Sequence, residues 1–317
     1  MYQAGIAVVG THGGQSLPTW LKQRKADVHA VLLCRHTVAS NHLELVRHLL
    51  PSARVAFDTV DLHYLREQRA AQQSGDVAAL AAADQTRKAE LDLVARCDLT
   101  YVVSSVEAQV LGQACPQAHI QVLSNIHELQ PEGPGPEKRQ GALFVGGWSH
   151  HPNQDAVAWL TESIWPQVQE RSPGYLLHLV GDMPPAMLEK CNALPGIRAH
   201  GRVADLQPLM ENCRVALAPL RVGAGVKGKI NSAMSHGLPV IATSIAAEGM
   251  FISDGVDALI ADHAPAFAEA IVRLQHDDSL WTKLSAGGRE NVQRHFSAQA
   301  ADAALQALLL PLPRGPA

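Results

Sequence analysis

The sequence predicts an α/β protein made of two doubly wound parallel sheets. Short apolar segments bounded by Gly, Pro or Asp alternate with helical patterns along the 317 residues, which is typical of parallel strands joined by crossover helices. The segment 130–140 interrupts this alternation, because it has three prolines and two glycines in eleven residues. We predict a first domain over 1–130, a linker over 131–140, a second domain over 141–296 and a C-terminal helix or tail over 297–317. A long surface loop within one domain is the alternative to the linker.

Five strands and two main helices are predicted in the first half. The strands are short and apolar, and the longer helix is alanine-rich with charges at helical spacing. The predicted strands are 6–9, 28–34, 54–58, 99–104 and 120–123, and the predicted helices are 41–50 and 76–96. A glycine-rich loop, Gly10 to Gly14, follows the first of these strands.

Six strands are predicted in the second half. They are 142–145, 176–180, 197–200, 215–218, 240–242 and 258–260, with helices over 155–170, 185–192, 206–212, 264–276 and 279–295. Ligands of doubly wound sheets bind outside the carboxyl ends of the strands. The loops that follow these strands therefore share one edge, where we expect the functional site.

The stretch 219–250 is the most informative of the chain. A loop with three glycines opens a helix predicted over 230–236, and Arg221, Lys227 and Lys229 add positive charge there. Backbone N–H groups at a helix N-terminus favour anions, so the loop suits a phosphate or diphosphate. A nucleotide-hydrolase P-loop is disfavoured, because Ile230 replaces the required Ser or Thr. A glycine-rich turn with solvated lysines is the plainer alternative.

Several motifs in order resemble the family-4 retaining glycosyltransferases of the GT-B fold. They are Phe144-Val-Gly-Gly147, His151-Pro-Asn153, Leu179-Val-Gly-Asp182, Gly201-Arg-Val-Ala-Asp205 and Ala246-Ala-Glu-Gly249, together with the stretch 219–250. The resemblance covers about residues 140–296 well and 50–130 more weakly. Compared with full-length members the first domain is short, which predicts either a compact member of the family or a piece of a larger glycosyltransferase, and Gly10 to Gly14 is the candidate for the family's acceptor-site loop. It implies two Rossmann-like domains facing a cleft, with a nucleoside-diphosphate sugar held by the second domain.

The resemblance also assigns roles to residues of the second domain. Arg221 and Lys227 are expected to grip the donor diphosphate beside Gly225. Gly146 and Gly147 are expected to face the phosphate, and Trp148 to contact the acceptor side. Arg202 and Val203 match the nucleobase segment, while Glu248 and Gly249 match the loop beside the diphosphate and sugar.

Two family glutamates are missing from this sequence. Their positions carry Ala224 and Ser232, so neither carboxylate that faces the sugar and the ribose in the family is present. Ser232 or Asn231 could contact the ribose through a weaker hydrogen bond. Glu248 is a second candidate for that contact.

In the first domain, His63 is the candidate for the family's active-site histidine. Asp58 and Asp61 precede it and are assigned to the acceptor side. The alternative is that both aspartates cap turns and that His63 packs at the surface.

Three further polar residues are predicted to stabilise local structure. Asn153 is expected to cap the helix that follows it, Asp182 to cap a turn, and Ser104 to form a capping box with Glu107. The alternatives are a substrate contact for Asn153 and a nucleotide contact for Asp182.

Composition excludes several classes of protein. The net charge of −4 does not favour nucleic acid as a partner, and no apolar run is long enough to span a membrane. The N-terminus lacks the pattern of a secretory signal, and five cysteines without CxxC spacing indicate reduced thiols, so a cytoplasmic location is expected. Peripheral membrane contact stays open, although no basic amphipathic helix supports it.

The predicted function is sugar transfer from a nucleoside-diphosphate sugar to a saccharide or lipid-linked acceptor, in surface polysaccharide or glycoconjugate synthesis. We expect no cofactor and no metal, since cations replace a metal in the family. A catalytically degenerate nucleotide-sugar-binding protein and an epimerase of nucleotide sugars are the alternatives. A nicotinamide dehydrogenase is disfavoured, because no GxGxxG follows an early strand.

Overall fold

The structure is a computed structural model that describes residues 16–223 and 225–309. It contains two compact units. The first holds the described residues up to Tyr64, Ala81–Leu123 and those from Ala303 onward, and the second holds Leu65–Leu80 and Ser124–Asp302. The predicted strand 6–9, the loop 10–14 and Ala224 lie outside the described residues.

The first unit has a four-stranded parallel sheet in the order β1-β2-β3-β4. The central strands are apolar on both faces and buried, as expected for a parallel sheet covered by helices. The strands are β1 (Ala30–Cys34), β2 (Arg54–Asp58), β3 (Leu99–Val102) and β4 (Ile120–Val122). They confirm the four predicted strands that fall on described residues.

Helices cover this sheet, and three of them have residues in both units. The helices are α1 (Leu17–Gln23), α2 (His36–Leu49), α3 (His63–Ser74), α4 (Val77–Arg96), α5 (Ser105–Ala114) and α14 (Ala298–Leu309). The end of α14 returns to the first unit, where Leu308 packs with Tyr101 and the Tyr101 hydroxyl donates to the Ala304 carbonyl at 2.9 Å. Helix α3 was not predicted, because its residues are mostly polar.

The second unit has a six-stranded parallel sheet in the order β10-β9-β8-β5-β6-β7. This is the doubly wound order, and its direction reverses between β5 and β8. The strands are β5 (Ala142–Val145), β6 (Leu177–Val180), β7 (Ile197–Gly201), β8 (Val215–Ala218), β9 (Val240–Ala242) and β10 (Leu259–Ile260). All six predicted strands are confirmed.

Helices on both faces bury this sheet in one apolar core that includes Phe144, Leu179, Leu217 and Phe267. The predicted helix over 155–170 contains a π-helical turn, Leu160–Ile164. The helices are α6 (His151–Trp159), α7 (Trp165–Arg171), α8 (Pro185–Asn192), α9 (Gln207–Asn212), α10 (Gly228–Ser235), α11 (Ser244–Ala247), α12 (Ala264–His276) and α13 (Asp278–His295).

The proline-rich segment packs on the second unit. Arg139 is buried there, and its guanidinium donates to the carbonyls of Pro134 at 2.8 Å and Met210 at 2.7 Å. Its cation lies over the ring of Trp281 at 5.2 Å. Across the ranges 16–223 and 225–309, no helix has the length and apolar character needed to cross a membrane.

Candidate functional site

The candidate site lies where the order of the second sheet reverses. At this point β5 and β8 are neighbours, and the later strands of each half of the sheet are added outward from this pair. The loop after β5 contains Gly146 and Gly147, and the loop after β8 contains Arg221, Gly225 and Lys227. The topology therefore brings the two glycine-rich loops predicted from the sequence to one edge.

The loops after β5 and β6 pack backbone against backbone. A Cβ atom placed on Gly181 would lie 1.9 Å from the Gly146 carbonyl oxygen, so only glycine fits at this position. The Trp148 amide donates to the Asp182 carboxylate at 2.6 Å. Asp182 therefore anchors the loop after β5, and the prediction that it caps its own turn was wrong.

Asn153 connects the loop after β5 to the start of α10. Its side-chain amide donates to the Gly147 carbonyl at 2.8 Å and its Oδ1 accepts from the Lys229 ammonium at 2.6 Å. The N-cap of α6 is His150, so the prediction of Asn153 as the helix cap was wrong. Its buried side chain instead orients a lysine.

Lys229 is a desolvated cation at this edge of the sheet. Its ammonium lies 4.6 Å from the centre of the Phe144 ring, over its face. Burial, and then the charge of Lys227, lowers the pKa of Lys229 from 10.5 to about 8. Among the described residues, its hydrogen-bond partner is the neutral Asn153 rather than a carboxylate. An anionic ligand would complete the environment of this amine.

Other cations surround the same position. The pKa of His150 is lowered by burial and further by the charges of Lys229, Arg66, His151 and Lys227. Arg66 comes from α3, which sequence reasoning did not connect with the loops of the second half. The combined field favours an anion at this edge.

Lys227 occupies the N-cap of α10, and its ammonium donates to the Gly225 carbonyl at 2.6 Å. Gly225 has φ of 71°, which glycine adopts without strain. The predicted glycine thus allows the loop to turn into α10, whose N-terminal end carries positive partial charge.

Arg221 is bound to α6. Its guanidinium donates to both carboxylate oxygens of Asp155, at 3.0 and 2.5 Å, and lies 5.3 Å from the Trp159 ring centre. The hydrogen bond with Asp155 raises the pKa of Arg221. Its role as a diphosphate ligand stays a prediction, since these donors are engaged in this structure.

Glu248 is held by an arginine that the sequence analysis did not consider. Arg69 donates to its two carboxylate oxygens at 2.7 and 3.2 Å and to the Gly223 carbonyl at 3.2 Å. The neighbouring Met250 sulfur accepts from the Lys227 amide at 3.1 Å. Arg69 therefore links the Glu248 loop to the loop after β8, beside Gly249.

We expect Arg69→Met to weaken binding of uridine diphosphate three- to tenfold with little change in stability. The pair is about one-third exposed, so its loss costs at most about 1 kcal/mol of stability. The uncompensated Glu248 carboxylate would instead repel a diphosphate bound at the adjacent loop. Calorimetric titration and thermal unfolding measure the two effects.

The double variant Arg69→Met/Glu248→Gln is the control, because it removes the repelling charge as well. It should recover most of the affinity lost in the single variant. Equal affinities for the single and double variants would contradict an electrostatic role for this pair.

The remaining predicted donor residues lie on neighbouring elements. Arg202 is exposed and Val203 half-buried in the loop after β7. Ser232 is half-buried on α10, whereas Asn231 is fully buried and is not accessible to a ribose. The glutamate position at Ala224 lies outside the described residues.

The predicted acceptor-side residues follow β2 in the first unit. The Asp58 carboxylate accepts from the Val60 amide at 2.9 Å, and Val60 has φ of 64°. A β-branched residue rarely adopts this conformation, and such strain is frequent at functional loops. Asp61 and His63 adjoin this turn, with His63 Nδ1 at 3.0 Å from the Asp61 carbonyl oxygen.

Half of the predicted capping box is present. The Ser104 hydroxyl accepts from the Glu107 amide at 3.2 Å. The Glu107 carboxylate accepts from the amides of Val103 and Leu62 instead of that of Ser104. It therefore ties α5 to the turn before α3.

A cavity of about 620 Å³ opens beside residues at the amino ends of β5, β6 and β8. It is lined in part by Arg139 and Arg214, whose guanidinium groups already bind main-chain carbonyls of Met210 and Leu274. We assign it no ligand, because the cations it contains stabilise the fold.

Residues 139–277 match the family model described as glycosyl transferases group 1. A protein of 44.6 kDa from the cps region of Klebsiella pneumoniae, itself uncharacterized, is 23% identical over 165 residues. That match covers 50% of this chain and 42% of the relative, so the chain spans less than half of that protein's length.

Two solved structures have similar folds at low identity. HepE of Anabaena in complex with UDP is 12% identical with a TM-score of 0.71, over 92% of this chain and 80% of that one. Sucrose-phosphate synthase of Thermosynechococcus elongatus is 16% identical with a TM-score of 0.70, over 96% and 80%. The fold is GT-B. Its two parallel-sheet, Rossmann-like units confirm the predicted fold class.

Sequence reasoning missed four residues of this site. Asn153 was given a capping role, Lys229 was counted only as fixed charge, and Arg66 and Arg69 were not connected with the donor loops. No local pattern identified them, because their contacts join residues far apart in the chain.

Proposed function

We propose that this protein is a glycosyltransferase that moves a sugar from a nucleoside-diphosphate sugar to a saccharide or lipid-linked acceptor, with retention of configuration. The observation that carries the proposal is the desolvated ammonium of the half-buried Lys229, at the switch point of the sheet and without a carboxylate partner among the described residues. The match of residues 139–277 to the group 1 glycosyl transferases supports it.

The chemistry requires stabilisation of the diphosphate as it leaves the sugar. Negative charge grows on the oxygen that leaves, and preorganised cations in a desolvated site stabilise that charge strongly. Lys229, Lys227 and the N-terminus of α10 supply positive charge at one place, and Arg66 adds to it. We therefore propose transfer without a metal ion or other cofactor.

Uridine diphosphate is the first nucleotide to test, because HepE was solved with UDP. The cps-region relative supports a role in polysaccharide synthesis. Glu248, Arg202 and Val203 remain the proposed contacts to the ribose and base, and Asp58, Asp61 and Trp148 those toward the acceptor. His63 remains the predicted catalytic residue of the first unit.

A second candidate is a nucleotide-sugar-binding protein that no longer catalyses transfer. Ser232 favours it, because this half-buried serine stands where the family carries a ribose-facing glutamate. The two candidates differ in turnover and not in binding.

The deciding experiment is calorimetric titration with UDP, GDP, dTDP and ADP, followed by a transfer assay with the sugar donors of the nucleotide that binds. We expect one nucleoside diphosphate to bind tightly and Lys227→Ala to weaken it. Binding with turnover supports the transferase, and binding without turnover on a panel of acceptors supports the degenerate protein. Absence of binding to all four nucleotides would overturn both.

Nucleotide affinity should fall as the pH rises through the pKa of Lys229. Above about pH 7 the terminal phosphate of UDP is fully ionised, since its pKa is about 6. Lys229 has a pKa of about 8 in the empty site, so most of its ammonium groups lose their proton between about pH 7.5 and pH 9. If binding requires the protonated amine, the affinity for UDP drops roughly tenfold between about pH 7.5 and pH 9.

Lys229→Arg is the matched control for this prediction. Arginine stays charged across the range, so its affinity should vary much less with pH. A wild-type affinity that is constant from pH 7.5 to pH 9 would show that Lys229 does not contact the phosphates.

A further inference from the structure

Two histidines and a glutamate converge in the first unit, and none of them belongs to the proposed donor site. His36 begins α2, His63 begins α3 and Glu90 lies within α4. One ligand atom of each side chain lies within 4.8 Å of the others. The two imidazole rings meet edge to face, with centroids 4.8 Å apart.

The spacing of these atoms fits a shared ion better than direct hydrogen bonds. Glu90 Oε1 lies 3.5 Å from His63 Nδ1 and 3.8 Å from His36 Nδ1. An N–H···O hydrogen bond is usually about 2.7–3.2 Å long. Ligands bound at about 2.1 Å around a tetrahedral zinc ion are separated by about 3.4 Å. The two carboxylate–imidazole separations are close to that value, and the ligand atoms of the two histidines lie within 4.8 Å of each other.

Burial of His36, His63 and Glu90 destabilises the fold unless a cation binds between them. The Glu90 side chain is completely buried, and within the described part of the chain its ion-pair partners are these two histidines. His36 Nδ1 is buried and has no hydrogen-bond partner there. A buried carboxylate and an unpaired ring nitrogen each destabilise the fold unless another group compensates them.

Capping of α3 explains only part of this arrangement. The Glu90 oxygens accept from the amides of His63 at 3.2 Å and Tyr64 at 3.0 Å. A carboxylate can accept about four hydrogen bonds, so lone pairs remain for a metal. Capping would orient the carboxylate, but it does not account for the buried, unpartnered nitrogen of His36.

We propose that His36, His63 and Glu90 bind a divalent transition-metal ion, with Zn²⁺ as the first choice. Two imidazoles and one carboxylate form a common zinc ligand set that leaves a fourth position open. Asp61 adds negative charge nearby, with its Oδ1 3.4 Å from His63 Nδ1. Coordination through Nδ1 requires His63 to give up its contact with the Asp61 carbonyl. The second ring nitrogen, Nε2, then carries the catalytic role proposed above for His63.

The test is titration of the metal-free full-length chain with Zn²⁺ by calorimetry, and with Co²⁺ by absorption spectroscopy. We expect one tightly bound equivalent, a tetrahedral Co²⁺ spectrum and a rise in Tm with Zn²⁺. His36→Asn and Glu90→Gln should each weaken binding at least tenfold. His48→Asn changes an exposed histidine of the same helix and should leave binding unchanged.

Circular dichroism of each variant separates loss of the ligand from loss of the fold. Glu90→Gln alters a fully buried side chain, and its loss of binding counts only if the variant is folded. His36 lies near the surface, so the metal affinity of His36→Asn is the deciding measurement. Absence of saturable binding to the wild-type protein would overturn the proposal. A folded His36→Asn variant that binds Zn²⁺ as tightly as the wild-type protein would also overturn the proposal, because the bound ion would then lie elsewhere. Neither result bears on nucleotide binding.

Discussion

Lys229→Met should reduce UDP affinity at least a hundredfold and, at the same time, make the empty protein more stable. The two effects have one cause. The ammonium is desolvated between the Phe144 ring and Asn153, and no carboxylate among the described residues neutralises it. Its charge therefore destabilises the empty fold and stabilises a bound diphosphate. If Lys229 only stabilised the fold, its replacement would make the protein less stable.

The direction of the stability change follows from the pKa of Lys229. It is 10.5 in the unfolded chain and about 8 in the folded one. Between these values the unfolded state binds more protons, so stability rises with pH across that window. Below pH 8 the buried charge costs up to about 3 kcal/mol, because one pKa unit corresponds to about 1.4 kcal/mol. Methionine keeps most of the volume and removes the charge.

Part of this gain is offset in the variant, because Asn153 Oδ1 loses its hydrogen bond. We expect a net stabilisation of about 1 kcal/mol at pH 7, measured as a rise in Tm of a few degrees. The gain should shrink as the pH approaches 10. Calorimetry with UDP measures the loss of affinity.

Lys283→Met replaces an exposed lysine on α13 and is the matched control. It should change neither UDP affinity nor Tm by a measurable amount. If Lys229→Met bound UDP like the wild-type protein, the buried amine would not be a phosphate ligand, and the proposed donor site would lose its principal observation.

The sheets could be predicted from the sequence because their strands are continuous apolar runs. The bounds of β5, β8 and β9 agree with the prediction to the residue. Buried parallel strands need apolar residues on both faces, so the signal is local and strong. The polar helix α3 carries no such signal. Its role depends on contacts with residues far away in the chain.

The chemistry of the candidate site is set by such distant contacts. Lys229 meets Asn153 across 76 positions, and Glu248 meets Arg69 across 179. No local pattern shows that a lysine is desolvated or that a glutamate is neutralised. The doubly wound strand pattern placed the glycine-rich loops correctly at one edge, but residue types alone could not show that Arg221 would be engaged by Asp155.

Gly181→Ala should lower both UDP affinity and stability, because the loops after β5 and β6 lie in backbone contact. The added Cβ would lie 1.9 Å from the Gly146 carbonyl oxygen and 2.9 Å from its carbon, so the Gly146 loop must move. Displacing packed backbone typically costs 1–3 kcal/mol, and we expect about 2 kcal/mol or more here. The same movement would break the bond between the Trp148 amide and Asp182. Thermal unfolding and UDP titration measure the two losses.

Gly181 does not have a positive φ, so alanine at this position meets no backbone strain. Any effect of the substitution therefore reports the closeness of the two loops. Gly112→Ala is the control, since a Cβ there meets no atom within 4 Å and alanine suits its helix better. That variant should gain about 0.5–1 kcal/mol of stability and keep its affinity for UDP. If Gly181→Ala bound UDP as tightly as the wild-type protein, nucleotide binding would not depend on the loop after β5. The donor site would then lie on the loop after β8 alone.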